Sequence, residues 1–207
     1  MDWLSNVFDF DVEKNEIPRT RGRSYRAHTV EGLSIVLHTT EGDTVAGALA
    51  ALGGKGVPSH FTVGQGRIVQ LRPINAQAAA LHENPPHNPN DGTIQIEMVA
   101  RSQQKPWLPN DETLKPAVAL LAFLNRELGI PLTVPNGWPD DCSDIKTIWA
   151  SNNTRRLQAE HTWPAPQGVW QHMEVPWQQP SWHYDCGAIR RTEMIAMANA
   201  LLAEEPA

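Results

Sequence analysis

Three side chains far apart in the sequence are of the types that hold a catalytic zinc ion. His38 ends an apolar segment, while His172 and Asp185 lie in the C-terminal part of the chain. A catalytic zinc ion takes three nitrogen or oxygen ligands from the protein and keeps a fourth position for water. Two neutral imidazoles and a carboxylate meet that requirement. The residue types therefore predict a zinc hydrolase, although spacing alone is a weak signal because the chain has no HExxH helix.

Glu97 is the candidate for proton transfer near such a metal. It lies in a segment, residues 93–99, whose alternation is typical of a strand, and it points away from the face formed by Ile94, Ile96 and Met98. Any one of the 8 histidines, taken singly, is more often a hydrogen-bonded or surface residue than a ligand. The ordered set of two histidines, an aspartate and a strand-borne glutamate favours a site over four separate structural roles.

Length and composition predict one domain of ordinary size. The chain has 207 residues, of which 41% are hydrophobic and 19% charged, and its formal net charge is -6. This charge argues against nucleic acid as a partner, since phosphate binding depends on lysine and arginine. No apolar run approaches the roughly 20 residues that span a membrane, so we expect no membrane insertion. Nothing in the sequence requires an oligomer.

The N-terminal segment predicts cytoplasmic synthesis and an irregular arm. The first residues lack the charged and apolar regions of a signal peptide. Residues 1–30 are polar and predict an arm that leads into a catalytic domain over 31–207. Cys142 and Cys186 are too few for a disulfide framework, and a single bridge between them stays open. A basic cluster in the arm is typical of a solvated surface, with an anionic cell-wall polymer as the alternative partner: Arg19, Arg21, Arg23 and Arg26.

Hydrophobic patterns predict alternating strands and helices, and therefore an α/β fold. The strand over 33–37 should place His38 rigidly at its end, and the strand over 93–99 carries Glu97. The other predicted elements are a helix over 44–52 closed by Gly53-Gly54, a hairpin joining 59–63 to 67–71, a helix over 112–128, a possible helix over 144–156 and a final helix after a Thr192 cap.

Tryptophans are concentrated between Pro131 and Pro180, a region also rich in proline, asparagine and aspartate. Most of this region is predicted to be loop packed over the core. The tryptophans fit two interpretations, which are plugs that hold the loops on the core and aromatic surfaces that hold a sugar or peptide. They are Trp138, Trp149, Trp163, Trp170 and Trp177.

The chain resembles the zinc-dependent N-acetylmuramoyl-L-alanine amidases of the type 2 family, which are related to peptidoglycan recognition proteins. It is most similar to the amidase domains of phage endolysins. The combination of motifs, in the family's order, is specific although each motif alone is not. The matching motifs are Ile35-Val36-Leu37-His38-Thr39, Ser59-His60-Phe61, Asn90 to Glu97, Gln171-His172 and His183-Tyr184-Asp185-Cys186-Gly187.

The resemblance implies the zinc ligands. The family's first and second zinc histidines fall on His38 and His172. Its third ligand falls on Asp185, where members have aspartate or cysteine before Pro-Gly. Cys186 is the alternative third ligand, because thiolate is also a good zinc donor. The register against the following glycine favours Asp185.

The resemblance also implies catalytic and substrate-binding residues. Glu97 matches the acidic residue that many bacterial members place on this strand, and His183 stands where members have a catalytic lysine or its equivalent. The loop before the Glu97 strand places Asn90 and His82 as candidates for substrate contact. A turn residue and a surface histidine are the structural alternatives for these two.

The family implies a single domain with a central mixed β-sheet flanked by α-helices. It implies hydrolysis of the amide between N-acetylmuramic acid and L-alanine of peptidoglycan by a zinc-activated water. A phage lysin released by a holin to act on the cell wall, and a cytosolic enzyme that recycles muropeptides, both fit. A non-catalytic peptidoglycan-binding module and a zinc peptidase that cuts within the stem peptide are the alternatives from other classes.

Overall fold

The computed structural model describes residues 3–17, 32–83, 87–101, 110–138, 158–163, 166–176 and 189–204. Within these ranges the chain forms one mixed sheet and three α-helices, which confirms the predicted α/β class. The strands are β1 (Asn6–Val7), β2 (Phe10–Lys14), β3 (Ser34–Thr39), β4 (Phe61–Gly64), β5 (Arg67–Gln70), β6 (Thr93–Met98) and β7 (Val169–Gln171). The helices are α1 (Val45–Lys55), α2 (Asp111–Leu128) and α3 (Arg191–Glu204).

The sheet has the strand order β1-β2-β5-β4-β6-β3-β7. The strands β4, β6, β3 and β7 run parallel to one another, whereas β4 and β5 form an antiparallel hairpin. Every residue of β3 and β6 is buried. This burial is typical of parallel strands that are covered on both faces.

The N-terminal segment belongs to the sheet, which corrects the expectation of an irregular arm. β1 and β2 pair antiparallel, and β2 lies parallel to β5 with Val12 beside Ile68. Val7 is completely buried in the main core. The sequence did not indicate these strands, because β2 is mostly exposed and polar. The expectation is therefore wrong for residues 6–14, while the domain boundary at residue 30 stays a prediction.

Local capping chemistry determines where α1 begins and ends. The Thr44 side chain accepts a hydrogen bond from the backbone N–H of Gly47, so the helix begins where the sequence predicts. The predicted end at Leu52, before Gly53-Gly54, is three residues early. The helix continues to Lys55 and ends at Gly56, which has φ 61° and donates its N–H to carbonyls of the last turn.

Pro116 lies inside α2 and leaves a helix carbonyl without its usual donor. Proline has no N–H for the carbonyl of Glu112, four residues earlier. The N–H of Gly66, in the β4–β5 turn, donates to that carbonyl at 2.8 Å instead. The Glu112 carbonyl that Pro116 leaves without a helical donor therefore links α2 to the β4–β5 hairpin. α2 otherwise follows the prediction, with Asn110 as its N-cap and Gly129 in the left-handed conformation after its end.

The main core lies between α2, α3 and one face of the sheet. It contains Ile35 and Leu37 from β3, Ile94 and Ile96 from β6, and a long apolar stripe of α2. α3 contributes Met194, Ile195 and Ala198 to this core. The helix begins at Arg191, before the predicted Thr192 cap. None of the helices in the described ranges has the length and apolarity to cross a membrane. The predicted helix over 144–156 lies outside the described residues.

Candidate active site

Strand register places His38 beside Glu97. The two residues are direct partners in the parallel pair of β3 and β6, so their side chains emerge on the same face of the sheet. His38 is 1% exposed and Glu97 is 8% exposed. The His38 Nδ1 and Glu97 Oε1 atoms are 4.0 Å apart, which is close for charges but too long for a hydrogen bond. His38 lies within β3, one residue before its end, rather than directly after the strand, and Glu97 lies one residue before the end of β6.

His172 joins this pair from the next strand. It directly follows β7, which lies parallel to β3 with Leu37 beside Gln171, and it begins a short 3-10 helix, His172–Glu174. Its ring centroid lies 4.5 Å from that of His38, at an interplanar angle of 53°. The structure thus brings together three of the predicted site residues, which are separated by up to 134 positions in sequence.

Two apolar clusters lie on the same sheet face as the site. Val36 is two residues before His38 and belongs to one cluster. Thr62 is the register partner of Glu97, and Val69, the partner of Thr62, belongs to the other. The polar row of Thr62, Glu97 and His38 therefore runs between two apolar regions, where it is shielded from water. Such shielding strengthens electrostatic interactions within the row.

Three of the tryptophans form one of these apolar regions. Trp170 is completely buried, and the rings of Trp163 and Trp138 meet it edge-on at centroid distances of 4.9 and 5.9 Å. This packing supports the interpretation of these tryptophans as plugs that hold loops on the core. Trp149 and Trp177 lie outside the described residues.

Asn90 has a structural role in the loop before β6. Its side chain is completely buried, accepts hydrogen bonds from the Leu81 N–H and the Gln95 amide, and donates to the Leu81 carbonyl and to Asn88. This geometry favours the turn-residue alternative for Asn90, and its substrate contact stays a prediction. His82 is exposed on the same loop, so its substrate contact also stays a prediction.

His60 is a buried residue beside the site whose role the sequence did not indicate. Its Nδ1 accepts a hydrogen bond from the backbone N–H of Gln95 at 3.0 Å, and its Nε2 lies 2.8 Å from the carbonyl of Ala76. Only the neutral tautomer with its proton on Nε2 satisfies both contacts. His60 therefore fastens β6 to the loop after β5. The motif Ser59-His60-Phe61 was the available signal, but it did not distinguish structural from catalytic use.

The remaining predicted site residues, His183, Asp185 and the alternative ligand Cys186, lie outside the described residues, as does Cys142. Among the described residues, no group of three or more His, Cys, Asp or Glu side chains is arranged to hold a metal ion. The described part of the site supplies two imidazoles whose rings are in contact distance and a carboxylate beside them. This donor chemistry fits zinc, provided that one further ligand joins it.

The fold and this site define an α/β protein with a histidine and glutamate site at the carboxyl ends of parallel strands. The family model for N-acetylmuramoyl-L-alanine amidase matches residues 30–187, well over half of the chain. The chain therefore belongs to the N-acetylmuramoyl-L-alanine amidase family, which confirms the resemblance seen in its motifs. It is an amidase that hydrolyses an amide bond of peptidoglycan.

Comparison with solved structures supports the same fold. The crystal structure of the Staphylococcus aureus hydrolase AmiA in complex with its ligand shares 15% identity and a TM-score of 0.54, and the match covers 92% of this chain and 84% of that chain. A mutant form of PlyL gives the same identity and TM-score, with 92% and 99% covered. The solution structure of the PlyG catalytic domain gives 13% identity and a TM-score of 0.53, with 96% and 100% covered. No curated protein sequence matches the chain.

Proposed function

We propose that this amidase cleaves the bond between N-acetylmuramic acid and L-alanine with a zinc-activated water, and that Glu97 transfers the protons. The observation that carries the proposal is the strand register that places His38, Glu97 and His172 on one sheet face. Ligands of open α/β sheets bind outside the carboxyl ends of the strands. The site lies at that position.

His38 and His172 would hold the zinc ion together with Asp185. A zinc ion held by these residues would supply a bound water with a pKa of about 7 and would polarise the amide carbonyl of the substrate. The two histidines are buried, at 1% and 2% exposure, so their rings cannot turn freely into solvent. Their placement at the end of β3 and directly after β7 fixes the positions of the two nitrogen donors.

Glu97 would accept a proton from the attacking water and return it to the leaving amine of L-alanine. Its Oε1 atom lies 4.0 Å from His38 Nδ1, too far for a hydrogen bond, and its side chain is 10% exposed. It is therefore accessible to a water molecule while fixed by its strand. His183 would donate a hydrogen bond or positive charge to the developing oxyanion.

The biological setting follows from this substrate. An enzyme that releases stem peptides from peptidoglycan weakens the cell wall, and the fold is shared with the PlyG catalytic domain and PlyL. We propose that the protein is a phage lysin that reaches the wall after holin-dependent release. A recycling amidase would act on soluble muropeptides instead, so the preference between intact wall and soluble muropeptide distinguishes the two.

The test is digestion of purified peptidoglycan by zinc-loaded and chelator-treated protein, with mass spectrometry of the soluble products. We expect free stem peptides that begin with L-alanine, formed only with zinc. Binding without release would indicate a recognition module, and cuts within the peptide would indicate a peptidase.

A substitution separates the role of Glu97 from that of the zinc ligands. Glu97→Gln should lower kcat by about 10²- to 10⁴-fold, the usual contribution of a general base, while zinc remains bound. Glu112→Gln is the matched control, because Glu112 is exposed at the start of α2. Near-normal turnover by the Glu97 variant would show that another group moves the proton.

A further inference from the structure

We propose that the buried ion pair between Arg191 and Glu174 is a positioning device for His172. The inference rests on the proposed function, because it assigns to this pair the task of holding one zinc ligand in place. Neither residue belongs to the predicted site, and neither touches His38 or Glu97 in any described contact. The pair acts through the backbone that carries His172.

The ion pair is fully enclosed. Both side chains are 0% exposed. Arg191 donates through Nη1 to Glu174 Oε2 at 2.6 Å and through Nη2 to Glu174 Oε1 at 3.1 Å, which is the two-pronged geometry that guanidinium and carboxylate favour. Arg191 also donates to the carbonyls of Val169, at 3.1 Å, and Trp138, at 2.9 Å.

These contacts surround the turn that begins at His172. Glu174 Oε2 accepts a hydrogen bond from the backbone N–H of Gln171 at 3.1 Å, and the Gln171 side chain accepts in return from the backbone at Glu174. This reciprocal pair is a capping box that closes the turn over its first residue. His172 is that residue. The Glu174 carboxylate that closes the turn is also the one that accepts two hydrogen bonds from Arg191.

Arg191 thus connects four segments at one point. Its own backbone begins α3, and its guanidinium contacts the start of β7, the turn after β7 and the segment that contains Trp138. α3 is packed into the main core through Met194 and Ile195. The contacts of Arg191 therefore fix the position of the His172 turn relative to the core of the protein.

Stability alone is a weak reason for such a pair. Burying two charges costs about as much free energy as their attraction returns, and apolar replacements of similar volume are often neutral or stabilising. An apolar pair makes no directional hydrogen bonds. The planar guanidinium group of Arg191 instead fixes two carboxylate oxygens and two backbone carbonyls at once. The geometry of the pair fits a positioning role.

The first test compares Arg191→Lys with Arg190→Lys. Both change arginine to lysine at adjacent positions, but Arg190 directly precedes α3 and pairs with Glu193 of its first turn, with side-chain exposures of 32% and 44%. Zinc affinity is measured by competition with a chromophoric chelator, at a temperature where circular dichroism shows each protein folded. We expect Arg191→Lys to weaken zinc binding about 10- to 100-fold, the range found when groups that orient metal ligands are replaced, and Arg190→Lys to bind like wild type.

A second variant removes both charges together, so that neither is left buried without its ion-pair partner. The double substitution Arg191→Met with Glu174→Leu should fold, because an apolar pair of similar volume can replace a buried ion pair. Three backbone groups, of Val169, Trp138 and Gln171, each lose one hydrogen bond in this variant. We expect weaker zinc binding and a lower kcat with an unchanged KM. Folded double-variant protein with zinc affinity and kcat within twofold of wild type would overturn the inference. Wild-type protein that bound no zinc would instead overturn the proposed function, and the inference with it.

Discussion

Gly168 is the position where one added methyl group should disturb both stability and the site. It directly precedes β7, and a Cβ at this position would lie 2.6 Å from the Thr133 carbonyl oxygen and 3.1 Å from the Pro135 Cγ. The same oxygen accepts a hydrogen bond from Val169 at 3.0 Å, and the Gly168 carbonyl accepts from Ile35 at 2.9 Å. Backbone hydrogen bonds therefore hold the clashing atoms in place on both sides.

The size of the effect follows from these distances. Real Cβ atoms almost never approach an atom closer than 3.0 Å, so the 2.6 Å contact must open by several tenths of an ångström. Overpacking of this kind costs about 1–3 kcal/mol of unfolding free energy. The strand that must move carries His172 at its end. Since a misplacement of roughly 1 Å at a catalytic site can cost 10²-fold in rate, we expect Gly168→Ala to lower kcat/KM by about tenfold.

The assay is urea unfolding followed by tryptophan fluorescence, together with kcat/KM for release of stem peptides. Gly54→Ala is the matched control, because a Cβ there meets nothing within 4 Å and the residue lies inside α1. It should stabilise the protein by about 0.5–1 kcal/mol through helix propensity, without a change in activity. Gly168→Ala with wild-type stability and activity would refute the argument that β7 is held tightly against Thr133.

Two further predictions concern residues other than the proposed zinc ligands. Asn90→Ala should cost about 1–3 kcal/mol in urea unfolding, because it leaves buried partners unsatisfied, while KM stays unchanged; a large rise in KM with normal stability would instead establish the substrate contact. The pKa of the Glu13 carboxyl is lowered from 4.5, first by its hydrogen bonds from Arg67. The pair therefore stabilises the folded state above the unfolded pKa, and this stability is lost as pH falls through the folded pKa. Since both side chains are more than a third exposed, Glu13→Gln should change stability by less than about 1 kcal/mol at pH 7 and by less still in acid, and a loss that does not shrink as the pH falls would contradict the charge argument.

The elements that the sequence predicts well are those specified by local chemistry. α2 has an apolar stripe, an asparagine cap and a terminal glycine, so its ends are correct to within one residue. β3 and β6 have the apolar content of buried strands, and the placement of His38 and Glu97 near their ends follows from it. These signals lie within a few residues of the feature that they predict.

The features that the sequence does not show depend on contacts between distant segments. The neighbourhood of His38 and His172 requires that β7 adds to β3, and β7 has only three residues, too few for a periodic pattern. The motif resemblance assigned both histidines to one site, but it did not predict β7 or its pairing with β3. The Arg191–Glu174 pair was invisible because a buried arginine has the same sequence signature as a surface one.

The strands β1 and β2 cover an edge of the sheet that could otherwise pair with another molecule. The family match begins at residue 30, yet β1 and β2 cover the flank of β5. A fragment that started at the family boundary would leave β5 as an edge strand, with backbone N–H and C=O groups free to pair with a second molecule. Within the described residues the strand at this edge is β1, whose two residues are too short a template for such pairing. Polar residues that lie outside the matched family region thus cover a strand edge that could otherwise pair with a second molecule.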